Sequence, residues 1–300
     1  MRGRKNDRFA ALIGGIAPDL DILFGIIPIL FPQLYLLSHR GVFHSFAGVW
    51  LLLLPALFIV TLEPVKRLIK RFMRYDVELT VSRRTVAFGF LGCATHLFID
   101  YLTADGPTLL FPLTTIRYSV NLFSYSSDLV LVPFGLLVLF FSTRRPWPKM
   151  KVAFAGFAVL LLALSCTRVA MRLDVHAPGG EIYPTYAMNE WVVVERGGSS
   201  IHASIYDSLS GKIVFKKTYV DERSNRSLAP VLARSDSLPE VQWWLWGNSV
   251  VSVSAERDDA NRTWHVQYTS VVDDMDYARS GWLYFWYTND FTTTVDIKDA

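Results

Sequence analysis

Cysteine is scarce in this chain, and its scarcity excludes a fold held together by disulfides. Only two of the 300 residues are cysteine, Cys93 and Cys166, and both lie inside long apolar stretches. Small secreted scaffolds that depend on disulfides carry several cysteines at short spacings. The sequence also shows no internal repeat and no low-complexity tract, which argues against a repeat architecture.

Charged residues are nearly absent from several long apolar runs. Hydrophobic residues make up 51% of the chain, which is high for a soluble domain. The runs 46–62, 85–104, 129–142 and 152–171 approach the roughly 20 residues that a helix needs to span a bilayer. A further run, 9–37, is interrupted by the motif APDLD and by prolines, and predicts one span plus a re-entrant or surface-lying piece. We therefore predict an α-helical polytopic membrane domain of about four to five transmembrane helices, with its N-terminal segment retained and not cleaved as a signal peptide.

The charges that remain are divided unevenly. Residues 1–174 contain 19 Lys+Arg and 10 Asp+Glu, whereas residues 175–300 contain 11 and 17. The positive residues of the first part lie in short loops between apolar runs, which is the positive-inside pattern and argues against nucleic acid as a partner. This pattern predicts an integral protein of the inner (cytoplasmic) membrane. Its N-terminus would be cytoplasmic and its C-terminal part extracytoplasmic.

Three polar clusters interrupt the apolar runs, namely APDLD (17–21), SHRGVFHS (38–45) and HLFID (96–100). Ionisable groups within membrane segments are costly and mark functional sites by default. The topology derived from the Lys and Arg positions puts all three clusters at the same outer membrane face. Their candidate metal ligands are Asp19, Asp21, His39, His44, His96 and Asp100. Such nitrogen and oxygen donors suit Zn²⁺ or another divalent transition ion, and the set is large enough for two ions.

The individual motifs are less specific than the combination. In HLFID, His96 and Asp100 are four residues apart and project from one helix face, an arrangement that is more often a structural hydrogen bond. In SHRGVFHS, Gly41 allows a sharp turn. Arg40 presents a planar fork suited to phosphate or carboxylate, although an arginine that extends to the membrane surface is the alternative.

The APDLD motif predicts a break in helical structure. Pro18 disfavours a helical conformation at Ala17, and the two-residue spacing puts Asp19 and Asp21 on different faces of a helix. We therefore expect an extended or turning segment in which both carboxylates face one site. Taken alone, the motif is more typical of a helix cap next to a solvated acid.

Residues 175–300 have a different pattern, in which apolar and polar residues alternate as in half-buried strands. The alternating segments are EWVVVE, SIHASIYD, KIVFKKTYV, NSVVSVSAE, TWHVQYTSVV and GWLYFWYT. Turn signals separate them at 196–198, 210–211 and 258–261. We predict a mostly antiparallel β domain over residues 175–300, which follows the membrane domain over residues 1–174.

The three polar motifs together resemble the YdjM-type family of predicted membrane-bound metal-dependent hydrolases. The family pattern runs P-D-x-D, then H-R-G-x-x-H-S, then H-x-x-x-D with a following Thr, Gly and Pro, and the resemblance covers about residues 10–140. The matching positions are Pro18, Asp19, Asp21, His39, Arg40, Gly41, His44, Ser45, His96, Asp100, Thr103, Gly106 and Pro112. Arg117 and Asp128 resemble later basic and acidic positions of the family. The family is distantly similar to zinc-dependent phospholipase C and single-strand nucleases, which are helical enzymes that cleave phosphodiesters.

This resemblance implies a metal-dependent hydrolase that acts on a phosphoester, such as a lipid headgroup, at the outer membrane face. We expect Asp19, Arg40 and Asp100 to be catalytic, with Asp19 or Asp21 as ligand or general base. Arg40 and Arg117 would bind the substrate phosphate. Zinc is the expected metal, and the bilayer with a phospholipid-like substrate the expected partner.

A non-enzymatic membrane protein is the alternative, with a structural metal site and a partner-binding β domain. Family members commonly have a histidine upstream of the first motif, whereas this sequence has none before His39. A transporter is a third hypothesis, less favoured because the polar groups gather at one face and do not line a path through the spans.

Overall fold

The computed structural model describes residues 2–73, 76–124, 147–175, 177, 179–280 and 291–298. The chain forms two compact units. The first comprises Met1–Val120 and Asp128–Val159, and the second comprises Asn121–Ser127 and Leu160–Ala300. The domain boundary after residue 174 stays a prediction.

The first unit is helical. Its α-helices are α1 (Arg2–Ile16), α2 (Ile26–Leu30), α3 (Val49–Ile59), α4 (Glu63–Met73), α5 (Arg83–Leu102) and the first part of α6 (Trp147–Leu173). Short 3₁₀ helices lie between them at Pro18–Phe24, Pro32–Leu37 and Val42–His44. Helix α5 starts at a capping box, since the Ser82 backbone N–H donates to Thr85 Oγ1 and the Thr85 N–H donates to Ser82 Oγ.

Several of these helices are suited to cross a membrane. Among the described residues, Arg83–Leu102 and Ala155–Leu173 are each long and apolar enough for a span. Two bent pairs meet the same criteria together, Lys5–Ile16 with Pro18–Leu30 (44°) and Pro32–His44 with Val49–Ile59 (70°). The described part of the chain therefore has two candidate spans, or four if each bent pair is one span, and the predicted helical membrane region is confirmed. The count of about four to five stays a prediction, because the apolar run 129–142 lies outside the described residues.

Helices α1 and α5 pack with their backbones in contact, because glycines line both sides. A Cβ added at Gly92 would lie 2.1 Å from the carbonyl oxygen of Ala11, and one added at Gly14 would lie 1.8 Å from that of Gly89. Small residues permit this close approach between membrane helices. The contact places the C-terminal end of α1 beside the turn of α5 that follows Gly92.

The second unit contains two antiparallel sheets. The first has the order β1 (Glu181–Pro184), β2 (Glu190–Gly197), β3 (Ser200–Asp207), β4 (Lys212–Val220). The second has the order β5 (Val251–Asp258), β6 (Thr263–Ser270), β7 (Thr292–Lys298). Five of the six predicted strands are confirmed as β2 to β6, with turns at the three predicted positions. The sixth, GWLYFWYT, lies outside the described residues.

Three helices of the mostly β second unit were not predicted, namely α7 (Ala229–Asp236), α8 (Pro239–Gly247) and α9 (Val271–Ser280). The segment TWHVQYTSVV ends as a strand at Ser270, and its two valines begin α9. Val271 and Met275, one turn apart, are fully buried in the core of the first sheet. Helical spacing of the buried residues thus decides the structure there, where the local alternation favoured a strand.

Candidate metal centre

Three elements of the first unit bring the predicted ligands together. The 3₁₀ helix Pro18–Phe24 supplies Asp19 and Asp21, the turn 38–45 supplies His39 and His44, and α5 supplies the last two. The expected non-helical conformation of Ala17 is wrong, because Ala17 has helical angles (φ −56°, ψ −40°). The α-helix nevertheless ends at Ile16, and the chain bends by 44° into the 3₁₀ helix. Pro18 is the first residue of that helix, a position where the missing N–H of proline removes no bond.

The two carboxylates of the first motif contact opposite sides of the His44 ring. Asp19 Oδ1 lies 3.4 Å from His44 Nε2, and Asp21 Oδ2 lies 3.0 Å from His44 Nδ1. Because Asp19 and Asp21 are two residues apart on a narrow helix, their side chains diverge, and the imidazole lies between them. The two residues therefore have different environments: Asp21 is fully buried, and the side chain of Asp19 is 51% exposed.

Four donor atoms form a compact cluster: Asp19 Oδ1, His44 Nε2, His96 Nε2 and Asp100 Oδ2. His96 Nε2 is 3.2 Å from Asp19 Oδ1 and 3.3 Å from Asp100 Oδ2. His44 Nε2 is 3.4 Å and 3.5 Å from the same two oxygens. Ligands at about 2.0–2.1 Å around a tetrahedral zinc ion are about 3.3–3.4 Å apart. Each histidine Nε2 therefore lies at about the spacing of zinc ligands from both carboxylate oxygens.

The ring orientations fit a metal as well. His96 Nδ1 lies 2.9 Å from the carbonyl oxygen of Gly15, which can only accept, so this nitrogen carries the hydrogen. In the His96 ring this leaves Nε2 as the lone-pair donor directed at the cluster. His44 Nδ1 lies 3.0 Å from Asp21 Oδ2, an ion contact in which neither atom forms a hydrogen bond with any described residue. A carboxylate or backbone carbonyl on the far nitrogen is the usual support of a metal-binding histidine.

The net charge of the cluster and its lack of hydrogen bonds among the described residues also favour a bound cation. Three carboxylates and the guanidinium of Arg40 leave two net negative charges when the histidines are neutral, and buried charges require compensation. Protonated histidines would also supply it, but His44 Nε2, His96 Nε2 and Asp100 Oδ2 are buried and form no hydrogen bond with any described residue. A divalent cation bound by these atoms satisfies both their charge and their lone pairs.

His39 lies at the edge of this arrangement. Its Nδ1 lies 3.1 Å from Asp21 Oδ1, its ring centroid is 4.8 Å from that of His44, and its side chain is partly exposed. Donor atoms of Asp19, His39 and His44 also lie within 4.8 Å of one another, as do those of His44, His96 and Asp100. A second ion near His39 would have to share His44 with the first, and the number of ions stays a prediction.

Arg40 is buried beside Asp100. Its guanidinium is 3.4 Å from Asp100 Oδ1, and it donates to Thr103 Oγ1 (2.6 Å) and to the Ala104 carbonyl (3.2 Å). Its backbone has a positive φ of 67°, which costs about 1–3 kcal/mol for a residue other than glycine. The predicted turn is thus present, but the left-handed residue is Arg40, and Gly41 has a negative φ.

Arg117 holds the loop that follows α5. Its Nε donates to the Gly106 carbonyl at 2.9 Å, and its Nη2 donates to the Asp105 carbonyl. The loop is also joined to the histidine turn, since Thr108 Oγ1 donates to the Gly41 carbonyl (2.7 Å). Asp128 lies outside the described residues.

The sequence motifs miss the Gly15 carbonyl, because a backbone group has no residue signature of its own. The signal that could have found it is the glycine pair 14–15 opposite Gly89 and Gly92, which is typical of closely packed membrane helices.

Comparison with known proteins places this site in a family. The model of a family described as YdjM inner membrane protein matches residues 3–173, which is more than half of the chain. The chain belongs to the YdjM family. Curated proteins and solved structures give no match. The YdjM match includes all six predicted ligands and every candidate span, so the bilayer is the environment of this part of the chain.

Proposed function

We propose that this YdjM-family protein is a membrane-bound metal-dependent hydrolase that cleaves phosphoester bonds of a lipid-headgroup type at the extracytoplasmic face. The observation that carries the proposal is the cluster of four donor atoms from Asp19, His44, His96 and Asp100, at spacings of 3.2–3.5 Å, on helices apolar enough for a bilayer. In this cluster the buried Nε2 atoms of both histidines face the same two carboxylates without a hydrogen bond to any described residue. Structural ion pairs alone do not require this arrangement, whereas a bound metal does.

Zinc is the metal we propose, because imidazole nitrogens and carboxylate oxygens are both zinc ligands, and each histidine Nε2 here lies 3.2–3.5 Å from both carboxylate oxygens. Bound there, the ion would lower the pKa of a coordinated water and polarise a phosphoryl oxygen. Asp19 is the donor that substrate and water can reach, since half of its side chain is exposed. We assign it the general-base role, in which it leaves its coordination position to water while the other three donors hold the ion.

The buried partners would act by holding the donors in place. Asp21 and the Gly15 carbonyl orient the two imidazoles, and Arg40 orients the Asp100 carboxylate. Because Arg40 is only 3% exposed, its contacts support this positioning role more directly than the predicted phosphate binding. Phosphate binding by Arg117 stays a prediction.

The membrane face proposed for the site is inferred from the residues at the two ends of α5. Arg83 and Arg84 lie at its first turn, after the basic helix α4 in the chain, whereas His96 and Asp100 lie near its C-terminal end. At 1.5 Å per residue, His96 is about 18 Å from Arg84 along the axis. Since positive residues favour the cytoplasmic side, the donor cluster would be at the opposite side.

The test is metal analysis combined with hydrolysis by the full chain in lipid nanodiscs. We expect about one zinc-like ion per chain and hydrolysis of bis(p-nitrophenyl) phosphate or a phospholipid. His96→Ala should remove most of the metal and the activity. His202→Ala is the matched control, because His202 lies on β3 and hydrogen-bonds to Ser200 and Thr218. Unchanged metal content in His96→Ala would refute the site.

A structural metal site is the second candidate, and one observation favours it. The cluster offers four protein donors, as many as a structural zinc site uses, whereas catalytic sites keep a position for water. Turnover by the metal-loaded wild type separates the two functions, and Asp19→Ala then tests the assigned base. If the protein is a hydrolase, Asp19→Ala should keep its metal on the three remaining donors and lose turnover. If the site is structural, even the fully loaded wild type shows no turnover.

A further inference from the structure

One end of the first sheet is attached to the end of a candidate membrane span. The span Ala155–Leu173 ends in the second unit, and Ser208 Oγ, in the turn between β3 and β4, donates to the Met171 carbonyl at 3.2 Å. Met171 is two residues before the end of α6. The β3–β4 turn therefore lies beside the end of this candidate span.

A buried arginine fixes the neighbouring strand at the same place. Arg168 is 1% exposed, its guanidinium is 3.8 Å from the centre of the Trp191 ring, and its Nε donates to the Leu122 carbonyl at 2.9 Å. It also donates to the Met188 carbonyl, just before β2. The start of β2, the end of β3 and the start of β4 are thus all held beside the last two turns of α6, which limits any tilt of the sheet away from the helix.

Apolar side chains are exposed at this end of the sheet. Leu209 at the tip of the turn is 74% exposed, Ile213 48%, Val214 41% and Met188 42%. Single exposed apolar residues are common on any surface. Here they are grouped at the end of a span, next to the exposed Lys212. Apolar residues flanked by lysine are typical of segments that lie in the headgroup layer of a membrane.

We propose that the β3–β4 tip, residues 208–215, inserts into the lipid headgroup layer and anchors the β unit to the bilayer surface. Leu209 and Ile213 contact the upper acyl chains, and Lys212 together with Lys216 contacts anionic headgroups. The attachment of Ser208 to α6 makes lipid the favoured occupant of this surface, because the tip cannot move far from the point where the span ends. This inference concerns the second unit and does not depend on the proposed hydrolase activity.

The test uses the full chain in nanodiscs of zwitterionic and anionic phospholipid, with single cysteines carrying a bimane label. Cys166 is exposed and is replaced by serine, whereas Cys93 is fully buried and stays. The probe position is Leu209→Cys. The matched control is Ser199→Cys in the β2–β3 turn, at the other end of β3, a strand about 23 Å long at about 3.3 Å per residue.

We expect lipids with brominated chains to quench the label at 209 several times more strongly than the label at 199, with a blue-shifted emission only at 209. Replacing Lys212 and Lys216 by glutamine should reduce the quenching at 209 in anionic discs and leave it unchanged in zwitterionic discs. Equal, weak quenching at both positions would overturn the proposal. Protection of position 209 without quenching by brominated lipid would also overturn it, since a protein would then cover the tip.

Discussion

Nδ1 of His44 lies 3.0 Å from Oδ2 of Asp21, and neither side chain is exposed to solvent. The contact assigns Asp21 to the support of the imidazole, while Nε2 on the other side of the ring faces Asp19, His96 and Asp100. A carboxylate in this position fixes the ring and raises the basicity of the donor nitrogen. Asp21 should therefore control how strongly the site binds a metal, without being required for binding.

The first prediction tests this division between Asp21 and the direct donors. Asp21→Asn should weaken zinc affinity by about 10–100-fold, because loss of a supporting carboxylate typically has this effect, and metal should still bind at saturation. Affinity is measured by competition with a chelator in nanodiscs. Asp259→Asn, at an exposed position of the β5–β6 turn, should leave it unchanged. Complete loss of binding in Asp21→Asn would instead identify Asp21 as a direct ligand.

The second prediction concerns the buried pair of Arg40 and Asp100, whose side chains are 3% and 11% exposed. In chelator-treated protein, Arg40→Gln should destabilise the fold by about 3–5 kcal/mol, since it leaves a buried carboxylate without its positive partner. Adding Asp100→Asn to Arg40→Gln should recover part of this loss. Thermal unfolding in detergent measures the four members of the cycle, and strictly additive effects would exclude direct coupling.

The third prediction links helix packing to the metal site. Gly92 precedes His96 by one turn of α5, and a Cβ there would meet the backbone of Ala11 and Gly15 on α1. Gly92→Ala must push the helices apart, so it should lower both the melting temperature and the zinc affinity. The separation moves the Gly15 carbonyl, which lies 2.9 Å from His96 Nδ1. Gly156→Ala on α6 is the control, because nothing lies within 4 Å of its Cβ position and alanine favours helix.

The residues that could be predicted from sequence are those with a regular spacing. His96 and Asp100 share a helix face because they are four residues apart, and β2 to β6 follow from the two-residue alternation. The different environments of Asp19 and Asp21 could not be predicted, since they depend on a 3₁₀ helix and on the position of the His44 ring between them. The start of α9 at Val271 was missed for a related reason, because its burial is decided by packing against the sheet.

The fourth prediction concerns acid stability of the β unit. Asp207 Oδ1 accepts from the Asn189 side chain (2.7 Å) and from the Leu209 backbone N–H (2.9 Å). The Asn189 bond, with contributions from Ser210 and Leu209, holds the pKa of Asp207 below its usual value. A lowered folded-state pKa means that the stabilisation is fully present above the unfolded value of about 3.9 and is lost as the pH falls through the folded value.

Asp207→Asn keeps acceptor atoms in place but cannot titrate. We expect the variant to be less stable than the wild type at pH 6, because its neutral amide accepts weaker hydrogen bonds than a carboxylate. The difference should shrink as the pH falls below about 4. Tryptophan fluorescence during thermal unfolding is the measurement, since seven of the nine tryptophans lie in residues 175–300. A difference that stays constant or grows on acidification would show that Asp207 has no lowered pKa in the folded protein.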